Sequence, residues 1–571
     1  MSWGPVTSKS EFYIFRDSRR SVSATELAAA LRAELRGLVS SAQADQVNRL
    51  LLRAGELECG LRDESALPLV CQQAARLTDL FAEAAISLDG AGDCNAGDLV
   101  ATASPLLDRI SHSQFLEISV PEGFAYYALH PLDYADLVTR LALPASSAMV
   151  VGIRSIGTTL SAVVAAGLRQ SGLAATRITA RPTGHPYDRV CELDSSERQK
   201  IAAAVASQSE FLICDEGPGR SGSSLLSVAE ALEREGVTRS QIHILCSHQP
   251  DISALCARDA AQRWSRYRVA YSGMTRRLPL DAAEYLSGGE WRRTLPVERA
   301  EWPATWPQLE RLRYRFADAT TVLTFEGHGH YGEAVRARSQ ALSDAGFTPP
   351  YLGQEQGFGR HAVLKGRVTG RDGLTPQLLA RMAEYCGWRA REFRVPDVDL
   401  ADLETMTRVN LEREFGAAPE RFRLPVERPV ICDAQMMPHA WLHTPSGWLK
   451  LDASTHGDGH FFPGSCDIAW DLAGIVVEWE LSESLRDLLL SKYEHSSGDS
   501  ASRRINSYVL AYATFRMAWS KMAAASVGDA EEEGRLLRDY RRYRQFVQKF
   551  GSGVTGQSRV LQPSQIQAQP A

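Results

Sequence analysis

No apolar run in the 571-residue chain is long enough to cross a membrane, and no early stretch resembles a signal peptide. No CxxC pair occurs among the ten cysteines, so neither a zinc ribbon nor a disulfide framework is indicated. Excess charge is missing too: a net charge of −6 gives no bulk electrostatic reason to bind nucleic acid or a membrane surface. There is no internal repeat. These absences predict a cytoplasmic protein that works on small molecules, and they leave its oligomeric state open. What is present is ordinary for a globular chain, 44% hydrophobic and 23% charged residues. The length predicts about three or four domains, each able to bury a core.

The chain is organised around residues 211–226, FLICDEGPGRSGSSLL. The apolar run 211–214 predicts a buried strand of a parallel sheet. It ends on two adjacent acids, Asp215 and Glu216, followed by a loop of small residues and an apolar-periodic helix from Leu225. Strand, glycine-rich loop and helix N-terminus make an anion cradle. Backbone N–H groups point at the ligand, the helix dipole favours negative charge, and missing Cβ atoms allow close approach. A Walker-type loop would carry a Lys before its Ser/Thr, and none stands here. Two carboxylates beside such a cradle suit ribose hydroxyls, or a metal ion that neutralises a pyrophosphate.

A second cradle precedes it. The apolar strand 148–153 runs into Arg154-Ser155-Ile156-Gly157-Thr158-Thr159 and then a helix to about residue 170. Arg154 can clamp a phosphate with two parallel N–H groups. Between the cradles, two prolines and a glycine in 181–189 forbid a helix or central strand.

This order of segments, over about 110–300, resembles the type I phosphoribosyltransferases. The resemblance implies a Mg²⁺-dependent reaction in which phosphoribosyl pyrophosphate (PRPP) loses pyrophosphate to a nitrogen of a nucleobase-like acceptor. Asp215 and Glu216 would bind the ribose hydroxyls, and Gly219, Arg220, Ser221, Gly222, Ser223 and Ser224 the 5′-phosphate. Arg154, Ser155, Gly157 and Thr158 would hold pyrophosphate, under a mobile lid carrying Arg181, His185 and Arg189. Ser221-Gly222-Ser223-Ser224 replaces the family's Thr-Gly-x-Thr, and the spacer before it is one residue longer. Residues 1–105 read as a helical cover without a site of their own. Phe124, Tyr126, Tyr127, His130 and Tyr134 form either a base-stacking hood or core packing.

From about residue 319 the pattern changes. A strand at 320–325, a helix at 333–345 and a strand at 361–365 are followed by two strands ending on acids, VICD at Asp433 and WLKLD at Asp452, and by the run CDIAWDLA. This half, about 310–550, resembles the aminoglycoside-phosphotransferase-type kinases. The resemblance implies Asp433 as the base for an acceptor hydroxyl, Asp452 on Mg²⁺ with His439 near the second metal position, ATP as donor, and Asp471 as a structural support. The expected strand lysine is missing, with Thr324 in its place. Pro438 occupies the position of the second metal-binding Asn, and no His stands two residues before Asp433. Seven of the thirteen histidines fall between His328 and His460. The run His456-Gly457-Asp458-Gly459-His460 reads as a polar loop or, alternatively, a metal site.

Together these readings predict an α/β, type I phosphoribosyltransferase-like parallel sheet with a helical N-terminal cover, then an α+β protein-kinase-like domain. The expected divisions are 1–105, 106–300, 310–550 and a disordered tail at 551–571, with Trp302-Pro303 and Trp306-Pro307 as a linker-like join near 300. Two functional readings stay open: a PRPP-dependent transferase fused to a kinase-like phosphotransferase, or a PRPP- or nucleotide-sensing regulator with two degenerate enzyme folds.

Overall fold

The computed structural model describes residues 19–38, 42–90, 92–110, 115–219, 221–249, 251–273, 284–316, 318–455 and 464–554. The expected tail, the 456–460 run and Arg220 lie wholly or mostly outside these.

Four helices form the N-terminal cover: α1 (Ala24–Arg36), α2 (Ala44–Asp63), α3 (Pro68–Asp89) and α4 (Ala96–Asp108). Ser23 caps α1 by accepting from the Thr25 N–H at 3.2 Å. Their apolar faces close one core with Ala162, Val163 and Ala166 of the next domain, so the cover is packed on and not tethered. A buried fork of two 2.8 Å bonds from Arg177 to Glu58 fixes the same joint.

The next region is a five-stranded, wholly parallel sheet: β1 (Ser147–Ile153), β2 (Ala174–Ala180), β3 (Glu210–Cys214), β4 (Ile242–Cys246) and β5 (Arg268–Tyr271), in the order β2-β1-β3-β4-β5. Alternation assigns each strand's side chains to two apolar layers. Met149, Val151, Phe211 and Ile213 face one, and Ala148, Val150, Leu212 and Cys214 the other. The helix α5 (Ile156–Gln170) covers the second face; α6 (Ser195–Ala206) and α7 (Ser223–Arg234) cover the first. Because chain order reverses between β1 and β3, the loops leaving these two strands part around a crevice. Both predicted cradles lie there, brought close by glycine. A Cβ on Gly157 would fall 2.5 Å from the Cys214 carbonyl oxygen.

The second half consists of a small and a large lobe. Its small lobe is an antiparallel sheet of β6 (Glu284–Tyr285), β7 (Arg313–Arg315), β8 (Thr321–Phe325), β9 (Tyr351–Glu355) and β10 (Phe358–Ala362), ordered β6-β7-β8-β10-β9. Helix α8 (Glu333–Asp344) lies between β8 and β9 in the chain. The edge strand at 284–285 precedes the expected boundary near 300, and the segment after it is pinned, not loose. Glu532 accepts from Arg292 and from the Thr305 N–H, both at 2.7 Å. The large lobe is mainly helical: α9 (Pro376–Glu392), α10 (Ala401–Phe415), α11 (Ala469–Glu478), α12 (Glu483–Ser497), α13 (Ile505–Ala524) and α14 (Ala530–Val554) around one core. Among the described residues, no helix is long and apolar enough to cross a membrane.

Candidate functional site

Two constellations emerge, one in each half. In the first, Asp215 and Glu216 leave β3 at the crevice. Asp215 Oδ1 accepts from the Glu216 N–H at 2.9 Å, and Glu216 Oε2 from the Gly123 N–H at 2.8 Å. The Tyr134 hydroxyl donates to the Asp215 carbonyl. Crowding by protein pushes the Asp215 carboxyl up to about 7, against the pull of Arg181 and Arg189. Burial, with Glu122 and Asp215 adding repulsion, pushes Glu216 up to about 8.

Two of the arginines expected around pyrophosphate, Arg154 and Arg181, face an acid from the cover. Asp63, at the end of α2, accepts from Arg154 at 3.2 Å and from Arg181 at 3.0 Å; Arg154 also reaches Glu197 at 3.5 Å. Ser155 adopts φ 97°, costly for a residue with a Cβ, and Thr158 is buried on the first turn of α5. The expected lid is a small hairpin, residues Thr183–His185 paired with Asp188–Val190. Its tip is seated on the serine loop: the Pro186 carbonyl accepts from Ser221 Oγ at 2.8 Å and Ser223 Oγ at 2.6 Å. His185 stacks edge-on against Tyr187, and Arg189 donates to the Pro182 carbonyl at 3.2 Å. Gly219 and Gly222 take φ 53° and 70°, conformations a side chain resists, and Ser224 opens α7 half-buried.

In the second half, Asp433 and Asp452 are separated by their surroundings. Asp433 is sealed. Its Oδ2 accepts from the Tyr385 hydroxyl at 2.6 Å and lies 3.3 Å from Lys450 Nζ, both side chains of that ion pair being fully buried. Asp471 accepts from the N–H groups of Asp433 and Ala434, each at 2.9 Å, and so shapes the turn, at which Ala434 takes φ 63°. Burial raises the Asp471 carboxyl to about 6 against the pull of Arg389.

Asp452 instead borders a cavity of about 220 Å³, with Tyr126, Tyr127, Trp291, Arg313 and His439 among its walls. The Arg313 guanidinium donates to Asp452 Oδ2 at 2.5 Å, and Thr455 Oγ1 to Oδ1 at 3.1 Å. The His439 ring lies 5.0 Å from that of Trp291, at 31°. Among the described residues no group of three His, Cys, Asp or Glu side chains could hold a metal. A Mg²⁺ arriving with a nucleotide needs only one or two protein carboxylates, and Asp452 fits that lesser demand.

Three groups went unread in the sequence. Lys450 and Tyr385 hold Asp433 from distant segments, and Arg313 reaches Asp452 across a separation of 139 residues. The aromatic cluster divides: Phe124 and Tyr134 are core, while Tyr126 and Tyr127 line the cavity of the other half.

No protein-family model matches the chain, and no curated protein matches it. Among solved structures it is similar to a choline/ethanolamine kinase family protein from Mesorhizobium loti, at 21% identity over 44% of this chain and 92% of that one, with a TM-score of 0.28. It is also similar to choline kinase LicA from Streptococcus pneumoniae (14% identity, 41% and 90%, TM-score 0.30). A third is macrolide 2′-phosphotransferase MphH from Brachybacterium faecium (14%, 44% and 95%, TM-score 0.29). None of the three is a phosphoribosyltransferase. With TM-scores this low, what either half does has to be argued from its own strands and side chains.

Proposed function

We propose that the second half is a phosphotransferase that moves the terminal phosphoryl group of ATP to a hydroxyl of a small, nucleoside-like or sugar-like molecule in the cavity. The observation that carries this is the place of Asp452: a carboxylate two residues beyond the strand Gly447–Lys450, on the wall of a cavity that Arg313 of the small-lobe sheet also lines. The antiparallel order β6-β7-β8-β10-β9, with α8 after the third strand in the chain, presents Arg313 of β7 to that wall. A bound Mg²⁺, held by Asp452, would neutralise charge on the phosphates. Phosphoryl transfer needs positioning and charge stabilisation more than covalent help. The acceptor oxygen gains the phosphoryl group, ADP leaves, and the hydroxyl proton passes to a nearby base.

Asp433, sealed by Tyr385 and Lys450, supports the turn in this conformation. His439 is the loop's titratable side chain on the cavity wall and is suited to orient the hydroxyl. Tyr126, Tyr127 and Trp291 put aromatic surface on the cavity wall. ADP formation from Mg²⁺–ATP with a panel of nucleosides and sugars tests this. Acceptor-dependent ADP that disappears in Asp452→Asn is expected; turnover unaffected by that change would overturn the assignment.

The first half favours a second, separate reading, a PRPP-type ligand in the crevice between β1 and β3. What supports it is the meeting of both cradles, with Asp215 and Glu216 between them, where the parallel sheet reverses its order. Pyrophosphate release from PRPP with Mg²⁺ and a panel of bases, compared with the Asp215→Asn/Glu216→Gln variant, is the test. Binding without release would favour a sensor; neither binding nor release would remove PRPP from the account.

A further inference from the structure

We propose that Arg313 is the cation that grips the nucleotide phosphates, taking the part of the lysine that β8 lacks. The inference rests on the phosphotransferase reading of the cavity. Arg313 of β7 stands directly opposite Thr324 of β8 in the antiparallel register. Residues so paired project from the same face of a sheet, with Cβ atoms about 4.5–5.5 Å apart. A positive charge at 313 therefore serves the same patch as one at 324. The side-chain contacts agree. Arg313 Nε reaches Thr324 Oγ1 at 3.3 Å, while its Nη2 lies 2.5 Å from Asp452 Oδ2 on the cavity wall.

The neighbouring cations are committed elsewhere. Arg311 donates to the carbonyls of Ala125 and Thr455 at 3.2 and 3.4 Å and lies over the Tyr126 ring. Arg516 holds the Tyr543 hydroxyl at 3.2 Å, and Lys450 is sealed against Asp433. Arg313 alone of these is paired with the carboxylate assigned to Mg²⁺. When a magnesium-bearing triphosphate enters, Asp452 exchanges the guanidinium for the metal. The guanidinium then turns to phosphate oxygens, which its planar fork can bind two at a time.

The test is calorimetric binding of Mg²⁺–ATP, and separately of adenosine, to the full chain. Losing a charge-assisted pair of hydrogen bonds should weaken Mg²⁺–ATP binding by about 10–100-fold in Arg313→Ala and leave adenosine, which has no phosphates, within about twofold. In the Arg313→Ala/Thr324→Lys variant the charge returns to the neighbouring strand, and most of the lost ATP affinity should return with it. Equal weakening of adenosine and ATP, or no recovery in a double variant that melts with the wild type, would reduce Arg313 to a structural role and overturn the inference. Wild-type ATP binding unchanged by Arg313→Ala overturns it alone. A wild type that binds no nucleotide overturns the cavity reading as well.

Discussion

Asp215 and Glu216 are two carboxyls that the fold holds protonated into the neutral range. Unfolded, they titrate near 3.8 and 4.5; folded, near 7 and 8. Between those limits the folded chain binds more protons than the unfolded one, so stability falls as pH rises through the window. Without ligand, the melting temperature should drop between pH 6 and 8.5, and Asp215→Asn/Glu216→Gln should flatten the decline. An unchanged slope in the variant would show that these acids titrate normally. The pair was legible because its members are adjacent and follow an apolar run. The pairs Lys450–Asp433 and Arg313–Asp452 were not: a linear sequence carries no sign of which distant cation meets which acid, and Arg313 hides in the charged strand Arg-Tyr-Arg.

Among elements, the hairpin over the first crevice makes a sharp claim. The Ser221 and Ser223 hydroxyls expected on a phosphate are donated to the hairpin's Pro186 carbonyl. A ligand there must take over those donors. In Ser221→Ala/Ser223→Ala the hairpin should undock, losing about 1 kcal/mol per hydrogen bond. Proteolytic nicking within 181–190 should then be at least several-fold faster, with the melting temperature of the whole chain little changed; equal nicking rates would mean the tip is held by other contacts. The inner parallel strands β1, β3 and β4 were readable because they are largely apolar on both faces, and two cores flank them. The small-lobe edge was not. Glu284–Tyr285 is too short for any period, and Arg313–Arg315 is half-buried and charged, so backbone pairing rather than side-chain pattern defines both.

At the scale of the molecule, the halves meet at a buried histidine. The His328 backbone N–H donates to the Phe124 carbonyl at 2.9 Å, and its ring packs edge-on against His130, with ring centroids 5.1 Å apart. Burial lowers its pKa from 6.5 to about 4. Below 6.5 the unfolded or separated chain takes up a proton that the joined state refuses, so the joint loses stability as pH falls toward 4. Acid-induced loosening, read as lower protection factors against hydrogen exchange at 124–130 and 326–332, should be blunted in His328→Gln; protection factors unchanged between pH 7 and 4.5 would place the joint's strength elsewhere. Near residue 300, where the Trp-Pro pairs resemble a linker, the chain packs against α14. The short segment through Gly123 and Tyr127 touches both chemistries. Its Gly123 N–H holds Glu216, while Tyr126 and Tyr127 wall the Asp452 cavity a few residues on. A ligand that drew Glu216 off that N–H would free the backbone three residues before the tyrosines. By thermodynamic reciprocity, any factor by which the first occupant changes the second's affinity is returned unchanged in the other direction. Were both sites to take ligands, neither affinity would be a constant of its own half.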